Sequence, residues 1–195
     1  LHDKFGGPSA SMVSFVNRIS ENFKNKTIST LAYQYTRQPS TVIPNQNVLI
    51  TLCSIECDRR IPIDEGCKDF YDDLKGWSKL TDNIRIWDYT TQFTNFLAPF
   101  PNWNTIQPNI NLFYENNAKW IFQQHSRNPS ELFELRSYVM AKLLWDPNLS
   151  FETLVKDFCE KYYGNASEYI IRYVNDISNE IRKETDFFFF LYCDP

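Results

Sequence analysis

Two carboxylates stand where a parallel α/β fold would place its chemistry. Asp88 lies near the end of a predicted strand in NIRIWDYTTQF (83–93), between Trp87 and Tyr89. Glu56 follows the apolar run VLITLCSI. An acid at the end of a buried strand needs a specific partner. If the two strands are neighbours, about 4.8 Å apart, the carboxylates come within the separations that glycosidic hydrolysis uses, about 5 Å for retention and roughly 6.5–9.5 Å for inversion. Asp88 reads equally well as a structural strand end bonded to backbone amides. Glu56 reads alternatively as the partner of Arg59 or Arg60. That arginine pair could instead grip a uronic-acid carboxylate, although solvated side chains are the favoured reading.

The remaining strand ends are polar or aromatic. Tyr33, Gln34, Tyr35 and Thr36 end the first strand, Asp58 follows Glu56 on the second, and Gln123, Gln124 and His125 end the fourth. Function gathers at the C-terminal ends of strands in parallel α/β folds. Four such ends in a row describe a polar pocket lined with rings, so Tyr33, Tyr35, Trp87, Tyr89, Gln123 and His125 are the candidate substrate-binding residues. A lone loop histidine such as His125 is more often none of acid, base or hydroxyl partner.

These residues must be positioned by elements visible in the pattern. SASMVSFVNRISENFK (9–24) puts Met12, Phe15, Val16, Ile19 and Phe23 on one helical face, with Ser9 or Ser11 as cap. TISTLAYQYT (27–36) is β-branched and aromatic, and reads as a strand. NVLITLCSIEC (47–57) is almost continuously apolar, as in a strand buried on both faces. EGCKDFYDDLKGW (65–77) spaces Phe70, Leu74 and Trp77 as a helix does. IRIWDY and KWIFQQ (119–124) are strands, and between them a helix is expected to begin at or just after Pro108. Three helices follow. The first, 128–145, is capped by Asn128 with Pro129 at its first position and Glu131 at its third. The second, 150–164, is closed by Gly164. The third, 166–184, repeats Ala166, Ile170, Tyr173, Ile177 and Ile181.

Strands alternating with helices predict a parallel sheet. The link from Thr36 to Asn47 is short for a parallel crossover, so a hairpin is the alternative there. Four strands cannot close an eight-stranded barrel, and an open sheet leaves an unprotected edge. The expected fold is therefore α/β: part of a (β/α) TIM-type barrel, about four parallel strands with helices over residues 1–145, then a helical extension over 146–195.

Composition narrows the function. The 195 residues carry a net charge of −4 and no basic cluster, which disfavours nucleic acid. Aromatic residues make up 16%, which suits sugar C–H faces packing on rings and equally suits a large aromatic core. No run approaches the roughly 18 apolar residues of a membrane span. Of five cysteines, Cys53 and Cys57 fall on one predicted strand too far apart for a bridge or shared metal. Cys67, Cys159 and Cys193 have no ligand spacing. No metal and no cofactor is expected. The sequons at Asn25, Asn148 and Asn165 read as chance. Because the chain starts at Leu1 rather than a methionine, it is expected to be an excised piece, and the lack of a visible export signal carries little weight.

The stretches LAYQYT, NVLITLCSIECD, FYDDLKGWSKLTDNIRIWDYTTQFTNFLAPFPNWNTIQPNINLFYENNAKWIFQQ, ELRSYVMAKLLWDPN and FCEKYYGNASEYI together resemble domain of unknown function 4838. Members are largely bacterial and look like glycoside hydrolases of the α-glucuronidase barrel type. The resemblance spans about Gly7 to Ile181. It implies a (β/α)8 barrel whose first half is missing here, a carbohydrate substrate, and hydrolysis of O-glycosidic bonds in the intact parent, with export to the periplasm or beyond. In the family pattern the last strand often ends Phe-Glu-Gln-Gly, whereas here it reads Phe122, Gln123, Gln124, His125. That change raises two alternatives: a non-catalytic glycan-binding protein on the same scaffold, or an inactive fragment.

Overall fold

Val48–Cys53 is buried at every position, and the rest of the sheet is built around it. A computed structural model describes residues 5–125 and 130–192. The chain divides into two units. The first is Leu1–Cys57, Cys67–Tyr89 and Leu112–Gln124; the second is Asp58–Gly66, Thr90–Asn111 and His125–Pro195.

The first unit contains the sheet: β1 (Ile28–Ala32), β2 (Val48–Cys53), β3 (Ile84–Tyr89) and β4 (Ala118–Gln124). All neighbours are parallel, in the order β1-β2-β3-β4. The helix-free connection before β2 is therefore a parallel crossover, and the hairpin alternative is overturned. Asn47 sets its end by donating to the carbonyls of Ser20, Phe23 and Lys26.

Side chains alternate across a strand, and the pairing aligns them. Ile50, Leu52, Ile84 and Ile86 share one fully buried face. On the other face Thr51 pairs with Arg85, which donates to Thr51 Oγ1 at 3.0 Å and to Ser29 Oγ at 2.8 Å. A bulge between Ile84 and Arg85 keeps Trp120 and Phe122 on this second face, where both are exposed, as is Leu31.

Helix α1 (Pro8–Ser20) buries Ser9, Ala10, Val13, Val16 and Ser20. This stripe lies beside the expected one, since Phe15 and Phe23 are exposed. The cap also differs: Gly7 precedes Pro8, and Ser9 Oγ donates instead to Gln38 O at 2.6 Å. Helix α2 (Ile63–Gly66) is a single turn of the second unit. Helix α3 (Lys68–Leu80) buries Phe70, Leu74 and Trp77, as its spacing predicts. Gly76 is the point of closest approach to the crossover loop, because a Cβ there would meet Pro39 Cγ at 2.5 Å.

The expected first strand is too long. After Ala32 the chain leaves the sheet into a 3-10 turn, Gln34–Thr36, with Gln34 at φ 49. Thr36 Oγ1 accepts from Tyr33 N at 3.2 Å and donates to Tyr33 O at 3.0 Å. Local β propensity loses here to side chain–backbone bonding. The second strand likewise stops at Cys53, leaving Glu56 and Cys57 in the turn beyond it.

Helix α4 (Trp103–Glu115) starts five residues before Pro108, which lies inside it. The expected start was wrong because Trp103, Ile106, Ile110 and Phe113 form one buried stripe, and burying it outweighs the one helical bond that proline removes. In the second unit follow α5 (Phe133–Trp145), α6 (Phe151–Tyr162) and α7 (Ser167–Lys183). Asn128 and Pro129 lie outside the described residues. Helix α5 is entered through Leu132 at φ 46; Glu131 precedes the helix and pairs with Arg136 at 3.0 Å. Ser150 caps α6 by accepting from Thr153 N at 3.2 Å, and Gly164 beyond its end takes φ 55, as expected of a closing glycine. On α7 the buried positions are Val174 and Ser178, so the buried stripe lies beside the predicted one of Ala166, Ile170, Tyr173, Ile177 and Ile181. The phenylalanine-rich run near the end belongs to this unit's core. Phe189 and Leu191 are buried, and their carbonyls accept from Arg59 N and Phe93 N. Among the described residues, no helix is long and apolar enough to cross a membrane.

Candidate functional site

Asp88 stands one residue before the end of β3, paired in register with Gln123 of β4. It is 3% exposed. Ser54, the first residue past β2, donates through Oγ to Asp88 Oδ1 at 2.6 Å. Gln123 Nε2 approaches Asp88 Oδ2 at 3.5 Å, and the other end of that carboxamide, Oε1, is buried with no hydrogen-bond partner among the described residues. The sheet thus brings Asp88 and Gln123 together at one edge and adds Ser54, which sequence reasoning passed over. The available signal was its place as the first polar residue after an unbroken buried strand.

Asp88's chain neighbours point to the opposite face by strand alternation. Trp87 and Tyr89 stack with centroids 6.5 Å apart and planes at 25°. Phe122 meets Trp87 edge-on at 5.1 Å, and the Trp87 indole N–H donates to Gln124 Oε1 at 2.8 Å. The indole is thereby fixed in orientation by a polar handle, while Trp120 and Phe122 extend the aromatic surface. Cys53 lies under this surface at 1% exposure. Burial pushes its thiol up to about 11, so at neutral pH it is a protonated, poor nucleophile.

Glu56 has a different partner from any expected. Arg37, from the crossover loop, donates through Nη1 to Glu56 Oε2 at 2.9 Å and through Nε to Asp73 Oδ2 at 2.7 Å. Its own carbonyl accepts from Trp77 Nε1 at 2.6 Å. One arginine thus ties the turn after β2 to α3. The Glu56 side chain is 39% exposed, accessible to a ligand on its free side. Arg59 and Arg60 do not pair with Glu56, and neither is solvated. Arg59 is 3% exposed, and Arg60 clasps Asp58 at 2.6 Å with its own side chain 11% exposed.

Of the remaining candidates, Tyr33 is half-buried at the start of the 3-10 turn, and Tyr35 in that turn is 79% exposed. His125 belongs to the second unit. Its Nδ1 faces Thr90 O at 3.2 Å and its Nε2 faces Ser130 Oγ at 3.2 Å, while its ring stacks on Phe133 at 5.4 Å. A carbonyl only accepts, so Nδ1 carries the proton and Nε2 accepts from Ser130. Burial, helped by the charge of Arg136, pulls His125 down to about 4. It is neutral at physiological pH. Among the described residues, no group of three or more His, Cys, Asp or Glu could hold a metal ion.

The model of the family described as Domain of unknown function (DUF4838) matches residues 1–175. The chain belongs to this family. No curated protein and no solved structure matches it. Family membership covers the whole strand-end assembly and about the first half of α7, and the mixed α/β fold with a parallel sheet agrees with a partial β/α barrel followed by helices.

Proposed function

We propose that this chain is the C-terminal half of a (β/α)8 barrel, residues 1–145, with a helical extension, 146–195, in a carbohydrate-active protein whose strand ends hold a glycan. In the intact parent the site hydrolyses an O-glycosidic bond. The observation that carries this reading is the pair of features at the ends of β2, β3 and β4: a buried carboxylate, Asp88, held by Ser54 and Gln123 on one face of the sheet, and the oriented Trp87–Tyr89 stack on the other. An oriented indole next to the Gln124 carboxamide that it bonds suits a pyranose, which is apolar on its faces and polar at its rim. The missing half-barrel is supported by the sheet itself. Parallel sheets are normally covered on both faces, yet Leu31, Trp120 and Phe122 are exposed and β1 and β4 each end the strand order.

Within this reading Glu56 is the acid/base candidate, because it stays accessible while Arg37 fixes its position. Asp88, with one oxygen on Ser54 and the other facing Gln123, is a positioning carboxylate. Tyr33, Tyr35, Trp87, Tyr89 and Gln123 are the candidate sugar contacts. The test is release of reducing ends from a panel of polysaccharides by the full-length parent and by its Glu56→Gln variant. Loss of about 10²–10⁴-fold in rate is expected for a general acid/base; a rate within about threefold removes Glu56 from the mechanism.

A second reading is favoured by Gln123. A carboxamide against Asp88 cannot exchange a proton as a second carboxyl group would, which fits a glycan-binding protein without turnover. Saturable glycan binding by the parent with no bond cleavage is its expected signature.

A further inference from the structure

The second unit holds a cavity of about 420 Å³ between α4, α6 and α7, a size typical of small-molecule sites. Its walls are rich in carboxamides. Helix α4 contributes Asn104 and Asn111, seven residues and two turns apart, and α7 contributes Asn175 and Asn179, one turn apart. None of these four has a side-chain hydrogen bond among the described residues. The contrast with Gln107 in the same wall is informative, since its amide is fully engaged: Nε2 donates to Pro147 O at 3.1 Å, and Oε1 accepts from Phe151 N at 3.1 Å.

Two buried atoms make this more than a polar cleft. Trp103, 1% exposed, lines the cavity, and among the described residues its indole N–H has no hydrogen-bond partner; Asn104 Oδ1, also buried, has none there either. Buried polar groups are almost always paired, and leaving them unpaired costs free energy. Pro108, inside α4, also lines this wall. The Trp103 ring is also held in place, with the Arg136 guanidinium 3.8 Å from its centroid.

We infer that this cavity binds a neutral mono- or disaccharide, at a site separate from the strand ends. The wall offers an indole donor, an unpaired amide carbonyl and further amides that both donate and accept, and a hydroxyl is the group that donates and accepts through one atom. Phe151 provides an apolar face. Among the described residues, the one acidic or basic side chain in the lining is Glu152, an acid that disfavours anions and so excludes uronic acids and phosphates. This inference does not depend on catalysis or binding at Glu56 and Asp88.

The experiment is titration of the isotope-labelled chain with glucose, galactose, mannose, N-acetylglucosamine and cellobiose, and separately with glucuronate. The Trp103 indole N–H resonance is followed, assigned by its absence in Trp103→Phe. At least one neutral sugar is expected to shift it saturably, with glucuronate at least about tenfold weaker. Asn104→Leu and the rim substitution Asn175→Leu should each weaken binding by about tenfold or more. Asn175 is exposed, so that variant reports on binding even if Asn104→Leu fails to fold. The inference is overturned if no neutral sugar shifts the resonance, if the shift survives both asparagine substitutions, or if glucuronate binds as well as the neutral sugars.

Discussion

Ser54 Oγ donates a 2.6 Å hydrogen bond to Asp88 Oδ1, joining the residue just past β2 to the penultimate residue of β3. Both are buried, at 0% and 3% exposure. Removing the donor from a buried carboxylate costs more than the bond is worth, because the acceptor has also lost its water. Ser54→Ala should therefore destabilise the chain by about 1–3 kcal/mol. Chemical unfolding measures this; a change under about 0.5 kcal/mol would show that Asp88 is satisfied without Ser54.

Arg37 stands between two acids, and its substitution should damage both the fold and the site. Arg37 and Asp73 have side chains only 14% and 12% exposed, so Arg37→Met leaves a nearly buried carboxylate without its cation. A loss of about 2–4 kcal/mol is expected. The double variant Arg37→Met with Asp73→Leu should recover part of it, because the unpaired charge is then gone. The mutant cycle checks this: no recovery would assign the damage to the lost Arg37–Glu56 pair instead.

The sheet and its polarity were legible because they depend on local pattern. Val48–Cys53 is apolar throughout, and Ile84 and Ile86 alternate with Arg85 and Trp87, so strand identity and facing residues follow from the chain alone. Proximity of Asp88 to Gln123 followed from the expected strand order. The partner of Glu56 was not legible. Arg37 reaches it from a proline-rich loop 19 residues away in sequence, and no local spacing encodes that reach. The end of β1 and the start of α4 failed for a related reason. The Thr36 hydroxyl and the buried Trp103 each outweighed a local preference, strand propensity in one case and proline in the other. The cavity asparagines recur at helical spacing, but α4 and α7 are far apart in the chain, and only folding brings them to one wall.

The environment of His125 predicts a pH effect with a definite sign. Its folded value, about 4, lies below its ordinary 6.5, so the unfolded chain binds the proton more readily. The contribution is fully present above about pH 6.5 and is lost as pH falls toward 4, by on the order of 3 kcal/mol at most. Unfolding at several pH values for the unsubstituted chain and for His125→Asn isolates it. The gap between their stabilities should narrow or invert on acidification, and parallel profiles would mean that the imidazole stays accessible to protons.

The Gln123 amide reaches 3.5 Å from Asp88 Oδ2, and this contact makes Gln123→Glu the most informative single change. Two carboxyl groups at that range cannot both ionise cheaply, so one of them holds its proton well above the ordinary carboxylate range. A carboxyl raised in the folded state binds its proton more tightly there than in the unfolded chain. The variant should therefore be near its parent in stability below about pH 4 and lose about 1–3 kcal/mol as pH rises through the raised value. The unsubstituted chain, with a neutral amide at this position, should not show that loss. In the full-length parent the same substitution creates a carboxyl pair able to share a proton, the chemistry used by paired-acid enzymes. Gain of hydrolysis on a glycan that the unsubstituted parent only binds would mark Gln123 as the residue that turned a hydrolytic site into a binding site. Unchanged binding with no turnover, together with the pH-dependent stability loss, would place any catalytic pair away from the Asp88 edge.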